Sequence, residues 1–194
     1  FVFGVPEGSY LECTESAALA QFRDTCRRLT AAGHEIRPVP MMADFAELRQ
    51  RHVDLVSAEF AVLHRDWYPR YGHCYSSVAS ELYSYASGIE EGRIAICRES
   101  RLQLREHIHE AMATNGLSAW LTPAAHGPAP ATLAKTGEPV MNLPWTHALL
   151  PAVTVPCGNE QGSGLPLGLQ LVGKFGEDEA LVAQCQVIAP VVSG

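Results

Sequence analysis

Apolar positions along this chain fall into short continuous runs and into stripes with helical spacing, and the two alternate. Phe1 to Val5 is a continuous apolar run that ends at Pro6 and Gly8, which predicts a short buried strand. A helix is predicted from Thr14, a good N-cap, with Glu15 in its first turn. Leu19, Phe22, Cys26 and Leu29 recur at helical spacing up to a stop at Gly33. His34 to Val39 reads as a second strand, closed by Pro38 and Pro40. Strand, helix and strand in succession predict a βαβ unit with parallel strands.

Asp44 is placed to cap a long helix carrying Phe45, Leu48, Leu55, Val56, Phe60 and Leu63, with Glu59 inside that stripe. Trp67 to Gly72 reads as an aromatic loop. Val78, Leu82, Tyr85 and Ile89 mark a helix that stops near Gly88 and Gly92; Leu104, Ile108, Ala111 and Met112 mark another that stops at Asn115-Gly116. Leu117 to Leu121 is predicted as a strand running into Thr122-Pro123, and a long proline-bearing loop follows from Ala124 to Val140. Met141 to Ala148 predicts a helical turn. Ala152 to Pro156 and Leu167 to Val172 predict strands on either side of the turn Gly158 to Gly164. Glu177 to Ala189 predicts a closing helix stopped by Pro190. The interleaving gives the expected fold class: α/β, with a mixed, largely buried sheet flanked by helices, in a single unit spanning residues 1–194.

Composition narrows the function classes. The chain is 47% hydrophobic and 18% charged, as in ordinary globular domains, and its net charge of −7 repels a phosphate backbone, so nucleic-acid binding is not expected. No apolar stretch approaches the roughly 20 residues needed to cross a bilayer, so no membrane partner is expected. The six cysteines are scattered without paired spacing, which suits reduced thiols in a cytoplasmic protein better than a disulfide framework or a zinc site. An opening on an apolar strand at Phe1, without Met or a cleavable leader, suggests trimming from something longer.

Residues that could carry chemistry are few. Gly162-Ser163-Gly164 lies in a predicted hairpin turn and lacks the pattern of a nucleophile elbow. No phosphate-cradling glycine loop is present. His107 and His109 are two apart on a helix and point to different sides, and His73-Cys74 has no partners at ligand spacing, so neither a metal nor a cofactor is expected. Glu59 reads either as a pocket acid or as a side chain reaching past the helix edge.

The C-terminal third carries a resemblance. The run Met141-Asn142-Leu143-Pro144-Trp145-Thr146-His147-Ala148-Leu149-Leu150-Pro151-Ala152-Val153-Thr154-Val155-Pro156-Cys157-Gly158 resembles the C-terminal portion of the amidase-signature family. So does Gly164-Leu165-Pro166-Leu167-Gly168-Leu169-Gln170-Leu171-Val172-Gly173, followed by Asp178-Glu179-Ala180-Leu181. Phe3-Gly4-Val5-Pro6 with Tyr10-Leu11, Ala32-Gly33-His34 with Val39, and Leu121-Thr122-Pro123 extend the likeness over essentially the whole chain. Many of these positions have scaffold roles, such as glycines that permit close backbone approach, so the resemblance speaks first of fold.

The resemblance implies an enzyme that hydrolyses or transfers amide nitrogen with a Ser nucleophile, a second Ser in a cis peptide and a Lys base. In the family that machinery precedes the region seen here, and no catalytic residue carries over. Ser76-Ser77 lacks flanking glycines, and the lysines, Lys135 and Lys174, lie in turn or loop contexts. What carries over is a substrate-facing wall: Thr122, the loop from Ala124 to Val140, Asn142 and Trp145. Trp145 reads equally as core, and Asn142 as an N-cap. Leu149 stands where the family usually has Gly, and could narrow the adjacent space or shift a turn.

The function implied is the C-terminal portion of an amidase acting on a small-molecule amide, inactive as an isolated chain. The alternatives are a non-catalytic binding domain derived from the fold and a subunit of a glutamine-dependent amidotransferase. Expected partners are the preceding half of the fold or a second copy. That contact would lie on the apolar faces of the helices beginning near Thr14 and Asp44, or on an open strand edge.

Overall fold

In the computed structural model, residues 1–132 and 136–193 are described; Lys135 and part of the loop after Ala124 lie outside them. Among the described residues five strands form one sheet in the order β2-β1-β3-β5-β4. β1 (Val2–Glu7) lies between β2 (Glu35–Pro40) and β3 (Ala119–Pro123) and is parallel to both. β5 (Pro166–Val172) runs antiparallel to β3 and to β4 (Ala152–Asn159). The predicted βαβ unit is β1, α1 (Ser16–Ala31) and β2, with Phe3 in register with Ile36.

The sheet separates two apolar cores. On one face Phe3, Val5, Leu121, Leu169 and Leu171 pack with Phe22 and Leu29 of α1 and with Leu181, Ile188 and Val192 of α7 (Asp178–Val192). On the other, Trp120 and Val172 pack under α2 (Phe45–His64), α5 (Glu91–Thr114) and α6 (Leu143–His147) through Phe45, Leu48, Ile108, Met112, Leu143 and Trp145. Alternation along β3 and β5 produces this split, since successive side chains of a strand point to opposite faces.

Several local expectations are corrected. The residue at the N-cap of α1 is Glu15, not Thr14; Thr14 is buried, with its hydroxyl on the Met141 sulfur at 3.6 Å. Asp44 stands at the N-cap of α2, but its carboxylate turns to Arg51 at 2.5 Å instead of the helix N–H groups. Part of the aromatic loop is coiled into a short helix, α3 (Tyr68–Tyr71), with Pro69 in its first turn. α4 (Ser77–Ala86) is capped by the Ser76 hydroxyl, which accepts from the Ala79 N–H at 3.2 Å. α5 starts at Glu91, well before the periodic stripe at Leu104.

Pro190 does not stop α7. It sits in the last turn, where its fixed φ is helical and only one backbone bond is lost. Arg28 meets the exposed carbonyl end of α7, donating to Val192 O at 2.8 Å. Among the described residues no helix is long and apolar enough to cross a membrane.

Candidate functional site

The topology designates one crevice. β1 continues through α1 on one face of the sheet to β2, while β3 continues through α6 on the other face towards β4. The chain therefore leaves the carboxyl ends of neighbouring strands in opposite directions, the place where open α/β sheets leave room for a ligand. Tyr10, just past β1, and Thr122, at the end of β3, stand there, and Asn142 comes in at the start of α6.

A row of amide and hydroxyl groups crosses this end of the sheet. Thr122 and Gln170 are directly opposed in the β3–β5 register and share the Trp120–Val172 face. The Thr122 hydroxyl donates to Gln170 Oε1 at 3.1 Å, Gln170 Nε2 donates to Asn142 Oδ1, and Asn142 Nδ2 donates to the Ala124 carbonyl at 3.3 Å. Thr122 and Gln170 are buried, whereas Asn142 is exposed. Burial without partners would cost each of the first two on the order of 1–3 kcal/mol, so their mutual bonds hold the row in place.

A second polar line supports the same segment from below. Trp145 Nε1 donates to the Tyr10 hydroxyl at 3.0 Å, and that hydroxyl donates to the Met141 carbonyl at 2.7 Å. The Tyr10 ring stands edge-on to Phe45 and Trp145, at 5.3 and 5.8 Å between centroids. Burial pushes the Tyr10 hydroxyl well above the ordinary tyrosine range, so it stays protonated and keeps donating. Of the three residues assigned to the wall, Thr122 and Asn142 thus meet through Gln170, while Trp145 is 1% exposed and packs behind them. Asn142 makes no side-chain cap bond to α6.

Polar groups that patterning does not single out lie between α2, α5 and α6. His147 is fully buried, with Nε2 2.7 Å from the Ser100 hydroxyl and Nδ1 3.4 Å from His52 Nδ1. Burial pushes His147 down to about 4, and His52, Arg101 and Arg51 act in the same direction. Asp54 accepts from Arg93 at 2.7 Å, Gln50 at 2.8 Å and Tyr85 at 2.8 Å; burial pushes its carboxyl up, but these donors outweigh it and hold it below the ordinary range. Glu59, the acid considered from the stripe, instead pairs with Arg101 at 3.6 Å. Beside them an apolar groove of about 250 Å³ lies between Val53, Val56, Leu82, Val140 and Leu143, with Arg49 and Glu138 at its rim.

No family model matches the chain. One component of the glutamyl-tRNA(Gln) amidotransferase of Anaeromyxobacter dehalogenans is 32% identical over 99 residues, 47% of this chain and 20% of that protein. The crystal structure of an amidase superposes with a TM-score of 0.83 at 25% identity, over 94% of this chain and 44% of that one. A bacterial aryl acylamidase of the amidase-signature enzymes superposes at 0.79 with 12% identity, over 100% of this chain and 44% of that one, a likeness of fold. The chain thus spans about a fifth of the curated relative and under half of the solved structures. With the quoted motifs now placed on the strands and the turn of helix that frame the crevice, the chain belongs to the amidase-signature family and corresponds to the C-terminal portion of its fold.

Proposed function

We propose that this chain supplies the substrate-facing wall of an enzyme that cleaves a carbon–nitrogen amide bond. The observation that carries the reading is the exposed Asn142 amide. It is held over the β1–β3 crevice by buried Thr122 and Gln170, in a chain that superposes on an amidase over 94% of its length. Asn142 orients the substrate, Thr122 and Gln170 orient Asn142, and Trp145 holds α6 against the sheet from behind.

In this reading the nucleophile and base come from the other portion of the fold. The Ser76 hydroxyl is engaged as the α4 cap, and Lys174 lies in the loop after β5. The six cysteines, all free among the described residues, fit a reducing compartment, which favours the cytoplasm for the enzyme. The amidotransferase relative matches 47% of the chain, against 94% for the amidase structure, which favours a simple amidase.

The test is ammonia release from benzamide by the chain co-expressed with the remaining portion of the matched amidase, with the chain alone as control. Release by the pair and not by the chain alone is expected. Equal release by the chain alone would overturn the division of roles, and release by neither, from portions that copurify, would overturn the amide reading.

A further inference from the structure

The hydrogen bonds of the wall have a direction, and one backbone group determines it. A carbonyl oxygen only accepts, so the Asn142 atom facing the Ala124 carbonyl must be its NH2, bonded at 3.3 Å. That turns Asn142 Oδ1 towards Gln170, which must present its own NH2 there. Gln170 Oε1 then faces Thr122, whose hydroxyl proton completes the row at 3.1 Å. Reversing any one amide would set carbonyl against carbonyl, or NH2 against NH2, at a buried position. The neighbouring line from Trp145 through Tyr10 to the Met141 carbonyl is equally one-way, because an indole nitrogen only donates. Two adjacent residues, Met141 and Asn142, are therefore pinned by independent one-way chains that start in the core.

We infer that Gln170 is a positioning residue that fixes the polarity of Asn142, so that Asn142 presents its second Nδ2–H as a donor to the carbonyl oxygen of a bound amide. The inference rests on the reading that this row lines the substrate site. Asn142 has one Nδ2–H engaged by Ala124 and one left on the exposed side, so the wall offers a donor. A ligand group with a lone pair fits it, and an ammonium does not. Gln170 is suited to this role because the backbone around it is already bound on both sides: it is paired with Thr122 across β3 and with Thr154 across β4, so its side chain has a fixed base.

The test uses the 15N-labelled chain and follows the side-chain NH2 signals of Asn142, with benzamide as probe and benzylamine as the acceptor-free control. In the unmodified chain benzamide is expected to shift the Asn142 signals at every pH from 8 to 5, and benzylamine is not. Gln170→Glu offers only acceptors towards Asn142 while its carboxylate is charged, so at pH 8 the ligand-free Asn142 signals move and benzamide binds about tenfold more weakly, the cost of a misdirected hydrogen bond. A carboxyl in this buried position takes up a proton as pH falls, regains an O–H donor and restores both the signals and the affinity by about pH 5. A purely space-filling role predicts no such recovery. Asn142 signals indifferent to Gln170→Glu at pH 8, or no recovery at pH 5 in a folded variant, would overturn the inference. If Gln170→Glu moves those signals as expected but benzamide shifts no resonance of the unmodified chain, the positioning stands and the substrate-site reading falls.

Discussion

Leu149 holds a left-handed backbone, φ 58°, directly after α6, and the bonds around it complete a helix-ending motif. Leu149 N–H reaches Thr146 O at 3.1 Å and Leu150 N–H reaches Trp145 O at 3.0 Å, the pairing that usually places Gly at the left-handed position. The bulky residue noted in the sequence therefore neither narrows a space nor shifts the turn; its side chain is 46% exposed and the turn keeps its form under strain. Leu149→Gly should raise stability by about 1 kcal/mol, since a left-handed Cβ clash is relieved and little packing is lost. A thermal midpoint about 2–4 °C higher checks this, and an unchanged or lower midpoint contradicts it. Trp145 tests the opposite limit. Both its ring and its N–H are used inside the core, so Trp145→Ala should cost about 3–5 kcal/mol by urea denaturation. A midpoint that barely moves would mean that its main role is in the cleft.

At the scale of elements, the contact of α2, α5 and α6 turns on His147. Its neighbours there are His52 and Arg51 on α2, Arg101 on α5 paired with Glu59, and the Ser100 hydroxyl. His147 titrates at about 4 when folded, against 6.5 when free, so the folded state favours the neutral ring. Above pH 6.5 its contribution to stability is fully present; below it the unfolded chain takes the proton first, and stability falls until about pH 4. His52 is pushed down by burial and adds in the same direction. The slope from His147 should approach 1.4 kcal/mol per pH unit at most, about the value of one proton. Urea midpoints between pH 7.5 and 4.5 measure it, and His147→Gln should flatten the slope even if it lowers the plateau; an undiminished slope would exonerate His147. This cluster also shows where sequence reading stopped. The βαβ unit, both cores and the β4–β5 hairpin were legible, because continuous apolar runs and helical stripes report burial directly. The first half of α5, from Glu91 to Gln103, was not, because it puts Cys97 and Ser100 against α2 and α6 without a simple stripe. Asp54 looked like an ordinary polar interruption of α2 until α4 and α5 brought Tyr85 and Arg93 to it. Gln170 was read for fold alone, since its role depends on the register that sets it opposite Thr122, and register is not written in either strand.

At the scale of the whole molecule, the question is which surfaces invite a partner. The α1 face expected to be bare is not: Ala18, Phe22 and Leu29 are buried against the sheet and α7. Nor are the sheet edges plainly open. β2 carries Pro38 and Pro40, and on the β4 side Pro156 O accepts from Ser193 at 3.1 Å and Cys157 O from Arg28 at 3.1 Å. The α2 side is different. Val53, Val56, Phe60 and Leu63 recur three and four residues apart on one helix face, and Trp67 and Tyr71 continue it into α3. Leu63 is 73% exposed, Trp67 58% and Tyr71 54%, and Val78 at the start of α4 is 73% exposed. Large apolar side chains gathered on one side in this way mark contact surfaces more often than free ones. We therefore predict that the chain self-associates through α2 and α3 in the micromolar range, with apolar burial outweighing repulsion between copies of net charge −7. Raising salt screens that repulsion and should strengthen association, whereas a contact made by ion pairs would weaken. Light scattering across concentration and salt separates the two, and Leu63→Lys combined with Trp67→Ser should return the chain to monomer without moving its urea midpoint by more than about 0.5 kcal/mol. A wild-type chain that stays monomeric at every concentration and salt would show this face to be ordinary surface, and association that survives both substitutions would place the contact elsewhere.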